Sequence, residues 1–227
     1  MQKFSLHYEA DLDRGGISVL DIRPLLWRDG WPVAGENVTS GTYRLESMRT
    51  GTALEMAVEG VPVGGRRGGR GGGAGGRGAG AGRGNAPPPE PIPAQDAAQV
   101  AANWPAGATS ARLSPYLLQA QQKWTLTAVP NAGGYPGSPY FRISVAGTER
   151  SLAATSDREL TVLPDFTGGP EQLWRIDQLE DGTYRLMPKA VPGGTTPLAL
   201  SAIGAGSPTL EGVSVASDRE QWLLRTP

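Results

Sequence analysis

From Lys3 to Val33 the chain alternates apolar and polar positions in short extended runs. Phe4, Leu6 and Tyr8 fall two apart, and Ile17, Val19, Ile22 and Leu25 lead into Trp27. Asp13-Arg14-Gly15-Gly16 supplies a turn between the two runs, so the stretch predicts a β-hairpin. Two strands alone are marginal in water, so this piece has to dock on the rest of the chain or on a partner. A helical pattern is found only around Asp96 to Asn103, where Ala97, Ala98, Val100, Ala101 and Ala102 follow an aspartate cap. The remaining patterned sequence is short β-forming runs separated by turns.

An internal repeat organises those runs. Gly41-Thr42-Tyr43-Arg44-Leu45 recurs letter for letter as Gly182-Thr183-Tyr184-Arg185-Leu186, with a weaker copy at Tyr140-Phe141-Arg142-Ile143. Each opening leads to a leucine: Leu54 lies 11 residues after Tyr43, Leu152 lies 11 after Phe141, and Leu198 lies 14 after Tyr184. Each unit then ends on a tryptophan with Gln or Glu two positions earlier: Gln122 before Trp124, Gln172 before Trp174, Glu220 before Trp222. From leucine to tryptophan the second and third units take 22 and 24 residues, whereas the first takes 70. The first unit therefore carries a long insertion, and closure of a long surface loop costs only logarithmically more than closure of a short one.

Composition locates that insertion. The 227 residues include 33 glycines and 20 prolines, about twice the share usual in globular chains. Gly64 to Gly84 consists of glycine, arginine and alanine alone, and Pro87-Pro88-Pro89-Glu90-Pro91-Ile92-Pro93 follows. Prolines forbid helix and ladder hydrogen bonds alike, so residues 63–94 are expected to be disordered. The arginines raise an RNA-binding reading. They lack interleaved Phe or Tyr and sit in a chain of net charge −1, so a solvated loop is the expectation and nucleic acid is not an expected partner. With no cysteine and the single histidine His7, disulfides, thiolate chemistry and multi-histidine metal sites are excluded, and no metal or cofactor is expected. No apolar run approaches the ~18 residues of a membrane span.

Three units of one tryptophan each, rich in β-formers and turns, imply an all-β fold with pseudo-threefold symmetry. The Gln-x-Trp endings and Gly-x-Tyr-x-Leu openings resemble the ricin-type β-trefoil, including the family 13 carbohydrate-binding modules. The resemblance covers residues 38–227 apart from the insertion. Gln and Trp two apart on a strand point to the same face, so Trp124, Trp174 and Trp222 are expected in a shared core, with Gln172 hydrogen-bonding backbone nearby. In that family each unit's sugar pocket uses an acid after the leucine, an aromatic platform, and a polar group just before the tryptophan. The resemblance thus implies Glu55, Tyr116, Gln121 and Gln122 in unit one. In unit two it implies Asp165 and Phe166, with Ala153 at the acid position and Glu171 at the amide position. Unit three offers Ala199, Ser214 and Arg219, and reads as empty.

Residues 1–37 carry a second resemblance. Leu6-His7-Tyr8-Glu9-Ala10, Gly16 to Leu20, Ile22-Arg23-Pro24-Leu25-Leu26-Trp27 and Asp29-Gly30-Trp31-Pro32-Val33 are similar to the last blade of the family 43 glycoside hydrolases, five-bladed propellers that include arabinanases and β-xylosidases. That family's catalytic carboxylates come from earlier blades, and no pair among these 22 acids is nominated by a motif. The two resemblances together imply a monomeric, non-catalytic module binding polysaccharide or oligosaccharide, at the end of a secreted arabinanase or xylosidase-like enzyme. Glu9, Asp11, Asp13 and Arg14 interrupt any signal-peptide core, so export is expected through a leader outside this chain. Two alternatives are an active hydrolase with its catalytic blades upstream and a trefoil that binds protein rather than sugar.

Overall fold

The computed structural model describes residues 4–11, 17–58, 100–135, 138–204, 206–214 and 217–227. The stretch 63–94 and most of the expected helix lie outside them. Val100 and Ala101 are helical, and Asn103 and Trp104 close the turn on Val100 and Ala101.

β1 (Phe4–Asp11), β2 (Ile17–Arg28) and β3 (Trp31–Ala34) form a three-stranded antiparallel sheet, one strand more than the expected hairpin. Asp29 and Gly30 make the second turn with positive φ, +51° and +81°, a turn geometry that favours a glycine.

The rest is three repeats of one four-strand plan. Unit one contains β4 (Gly41–Ser47), β5 (Ala53–Met56), β6 (Thr109–Ser114) and β7 (Trp124–Ala128). A short ribbon, β8 (Gly134–Tyr135) with β9 (Ser138–Pro139), leads to unit two: β10 (Phe141–Val145), β11 (Ser151–Ala154), β12 (Leu160–Leu163) and β13 (Leu173–Gln178). Unit three has β14 (Tyr184–Pro188), β15 (Leu198–Ala202), β16 (Pro208–Gly212) and β17 (Trp222–Arg225). The first and last strands of the units close a ring in the order β4-β17-β14-β13-β10-β7 and back to β4. The middle strands pair as hairpins β5–β6, β11–β12 and β15–β16. This is a β-trefoil: closure of the six-stranded barrel leaves the ring no free edge.

The register is threefold. Tyr43 pairs with Trp124, Phe141 with Trp174 and Tyr184 with Trp222, joining each unit's opening to its own end. Trp124 also faces Val145, Trp174 faces Pro188 and Trp222 faces Ser47, joining each end to the next unit's opening strand. All three tryptophans are fully buried in one apolar cluster that includes Leu54, Leu152, Leu200, Phe141 and Leu186. Each indole N–H donates to a leucine carbonyl: Trp124 to Leu54 at 2.8 Å, Trp174 to Leu152 at 3.0 Å, Trp222 to Leu200 at 2.8 Å. A buried indole needs that partner, because a donor left unpaired in the core costs about 1–3 kcal/mol.

Those bonds correct one assignment. The third-unit leucine is Leu200, 22 residues before Trp222, and not Leu198. Ser201 therefore occupies the position of Glu55 and Ala153, in place of Ala199. The shift arises in residues 189–197, which lengthen the turn after β14 relative to residues 146–150 in unit two. The insertion in unit one maps to the β5–β6 connection: residues 57–108 span what 155–159 and 203–207 span in the other hairpins.

The N-terminal sheet meets unit two through Gly35, whose backbone comes so close to Gln178 that a Cβ there would lie 2.8 Å from its Oε1. The Glu36 N–H donates to the same oxygen at 2.5 Å. Nearby, burial pushes the Tyr184 phenol above its ordinary range, helped by the charge of Glu36 and by Tyr43.

Because the insertion replaces a hairpin loop, excision of residues 63–94 is expected to leave a cooperatively unfolding trefoil. Loop shortening favours the folded state by about 1 kcal/mol or less. Urea denaturation followed by tryptophan fluorescence checks this, and a broad, non-cooperative transition would contradict it.

Candidate functional site

Alternation along β4, β10 and β14 sends one residue of each barrel strand inward and the next outward. Leu45, Ile143 and Leu186 are buried, while the arginines Arg44, Arg142 and Arg185 point to the outer side of the strands at equivalent, partly buried positions. Arg44 lies over the Tyr116 ring at 4.7 Å and Arg142 over the Phe166 ring at 5.2 Å. Tyr116 and Phe166 each sit eight residues before their unit's tryptophan, where unit three has Ser214. There Arg185 donates to the Ser214 carbonyl at 3.0 Å instead. One face of each expected sugar platform is thus already taken by a partly buried guanidinium, a cation–π contact worth about 1 kcal/mol.

In unit one the structure brings Glu55 and Gln122 together, but beneath the surface. Glu55 is 2 % exposed, Gln121 2 % and Gln122 0 %. The Gln122 amide donates to Glu55 at 2.9 Å, to Ser114 Oγ at 3.0 Å and to the Pro115 carbonyl at 2.8 Å, while its oxygen accepts from Leu117 N–H at 2.7 Å. Glu55 also accepts from Arg112 Nε, and Gln121 donates to Gln119. The three side chains expected to touch sugar are therefore held inside the protein, where they pin the loop that carries Tyr116. Arg112, with its side chain 34 % exposed, is the group of this cluster that reaches solvent.

Unit two repeats the arrangement with different atoms. Gln172 donates to the Asp165 carbonyl at 2.8 Å and accepts from both Thr167 N–H and Oγ1 at 2.8 Å. The backbone of Asp165 is fixed this way while its carboxylate stays at the exposed surface. In unit three Glu220 accepts from Ser214 N–H at 2.9 Å and lies 2.8 Å from Arg185 Nε, close enough for an ion pair though not aligned as a hydrogen bond. The lost amide donor is replaced by a charge partner. Arg219 lies 3.5 Å from Glu211.

A groove of about 440 Å³ runs along the boundary between units one and two, lined by Thr125, Thr127, Arg142, Ser144, Gly147, Thr148 and Glu149. Arg142 forms a 2.7 Å ion pair with Glu149, so the groove presents hydroxyls around one balanced charge pair. These residues were missed by the motif reading. Two features could have found them: an arginine at the same place in all three openings, and threonines two apart, Thr125 and Thr127, on the outward face of β7. Among the described residues no group of His, Asp and Glu side chains is placed to hold a metal ion.

No protein-family model matches the sequence, and no curated protein matches it. Among solved structures, the chain is similar to a Polyporus squamosus lectin bound to the human-type influenza-binding epitope Neu5Aca2-6Galb1-4GlcNAc. That match has TM-score 0.50 and 11 % identity over 82 % of this chain and 49 % of that one. It is also similar to a mosquitocidal holotoxin, with TM-score 0.51 and 14 % identity over 98 % of this chain and 21 % of that one. A designed threefold-symmetric protein, ThreeFoil, matches at TM-score 0.49 and 17 % identity over 82 % of this chain and 99 % of that one. The chain spans about half of the lectin and about a fifth of the holotoxin. At these identities the likeness to the lectin and the holotoxin concerns fold alone.

The buried position of Glu55 sets its mutational phenotype. Glu55→Ala removes the buried carboxylate on which Arg112 and Gln122 converge and leaves a cavity in its place, a loss expected to destabilise the fold by about 2–4 kcal/mol. Chemical denaturation checks the value; a change below about 0.5 kcal/mol would contradict the buried network.

Proposed function

We propose that this trefoil is a non-catalytic carbohydrate-binding module that holds a family 43-type glycoside hydrolase on plant cell-wall polysaccharide such as arabinan or xylan. The observation that carries the reading is the hydroxyl-rich groove between units one and two. Threonine and serine hydroxyls both donate and accept, and an arginine paired with a carboxylate can span two neighbouring sugar hydroxyls. Its charge is balanced by the Arg142–Glu149 pair, which suits neutral pentose chains. Phe166, held against Arg142, and the Asp165 carboxylate lie on the same unit. Tyr116 and Arg112 provide a second contact region on unit one, positioned by Glu55, Gln121 and Gln122. Two weak contacts on one module raise avidity on a repeating polymer without needing a deep pocket.

The hydrolase part of the proposal rests on the family 43 resemblance of residues 1–37, with secretion following from an extracellular substrate. Within the 227 residues the module supplies attachment and no chemistry, since no carboxylate pair is nominated for hydrolysis.

Affinity electrophoresis in arabinan and xylan gels tests the reading. The full chain is expected to be retarded, and Arg142→Ala and Phe166→Ala to weaken retardation at least about tenfold without loss of folded protein. Unretarded migration in every plant polysaccharide, with capture of a protein partner instead, would favour the protein-binding alternative and remove this one.

A further inference from the structure

Surface recesses lie at the boundary of units one and two and at that of units two and three. At every unit boundary the first residue of the turn after the opening strand donates its N–H to the residue before the tryptophan. Met48 N–H donates to Gln221 at 2.9 Å, Ala146 to Lys123 at 2.8 Å and Lys189 to Leu173 at 2.7 Å. At the boundary of units two and three the longer turn 189–197 raises a wall, and a recess of about 300 Å³ forms beneath it. That size is at the lower end of small-molecule pockets, room for one sugar ring rather than a chain.

Pseudo-symmetry shows what has changed relative to the neutral groove. Arg175 stands where unit one has Thr125, since both follow the tryptophan, and Lys189 stands where unit two has Ala146. Among the described residues no acidic side chain lines the recess, whereas Glu149 lines its sibling; Asp177, just outside, offsets the charge of Arg175, so Lys189 leaves the recess with one net positive charge where the sibling is balanced. Lys189 spends one hydrogen bond on the Ala132 carbonyl at 2.6 Å and lies over the Tyr140 ring at 5.2 Å. Arg175 is steadied by Asp177, through Nε at 3.0 Å and Nη2 at 2.8 Å. Both cations are thereby fixed in place with N–H groups to spare. The floor includes Met187 and Leu198, and the wall carries the Thr195 and Thr196 hydroxyls. Gly193, at φ +76°, makes the turn that sets those threonines over the recess.

We propose that this recess binds a hexuronate residue of an acidic glycan, its carboxylate at Arg175 and Lys189, its hydroxyls at the threonines and its C–H face on the apolar floor. The inference rests on the reading of the trefoil as a glycan binder, and adds to the neutral groove a second subsite that prefers an anionic sugar. An acidic peptide would meet the same cations, but a recess of one ring's volume with flanking hydroxyls favours the sugar.

Matched pairs isolate the carboxylate. Isothermal titration of the full chain with D-galacturonate against D-galactose, and D-glucuronate against D-glucose, is expected to give at least about tenfold tighter binding of a uronate in low salt, weakening as ionic strength rises. Lys189→Met and Arg175→Gln are each expected to bring the uronate down to the level of its hexose, while Lys189→Met leaves xylan or arabinan retardation unchanged. Equal binding of uronate and hexose, or full uronate affinity in both variants, overturns the inference. Displacement of the uronate by a glutamate-rich peptide at equal concentration overturns it in favour of a protein ligand. Absence of uronate selectivity in the unsubstituted chain, with its polysaccharide retardation intact, removes this subsite alone; absence of both in that chain removes the glycan-binding reading with it.

Discussion

Three indole N–H groups, each bound to a leucine carbonyl in its own unit, set the geometry of this protein. An indole is too large to bury without displacing much water and too polar to bury without a partner. Each of Trp124, Trp174 and Trp222 solves both requirements at once: the ring fills the axial core and the nitrogen ties the last strand to the hairpin. The same residues pair on one side with their own unit's opening strand and on the other with the next unit's. Closing the barrel and packing its centre are therefore one event. A loop of any length can leave the β5–β6 hairpin without disturbing it, because neither the indole bond nor the ring of strands passes through that connection.

Polar groups beneath the surface form a second tier that depends on the first. Gln122, Gln172 and Glu220, two residues before the tryptophans, face the loops that carry Tyr116, Phe166 and Ser214. They fix those loops from inside, and the arginines of the opening strands fix them from outside. Variation between units includes the boundary recesses, where Thr125 gives way to Arg175 and a short turn to a longer one. Threefold scaffolding with unequal recesses is how one fold can carry contacts of different charge.

The barrel was legible in the sequence because its requirements recur at fixed spacing. Tyr43 to Leu54 and Phe141 to Leu152 are both 11 residues, and Leu152 to Trp174 is 22. The third unit misled where the spacing broke: the lengthened turn after β14 put Leu198 at a plausible distance, whereas the indole bond selects Leu200. Glu55 was legible as an acid beside the core leucine but not as a buried one, since a sequence does not say that Arg112 and Gln122 converge on it from residues more than fifty positions away. The grooves were not legible at all, because Thr125 and Thr127 reach the Arg142–Glu149 pair, and Arg175 reaches Lys189, only when strands from two units are placed side by side.

Hydrogen exchange of the tryptophan indoles tests the central claim most directly. If three indole–carbonyl bonds hold the trefoil together, three of the six indole N–H signals exchange only through global unfolding, with one shared protection free energy equal to that from denaturation. Unequal protection among Trp124, Trp174 and Trp222, or exchange of any of them well below the global value, would contradict it.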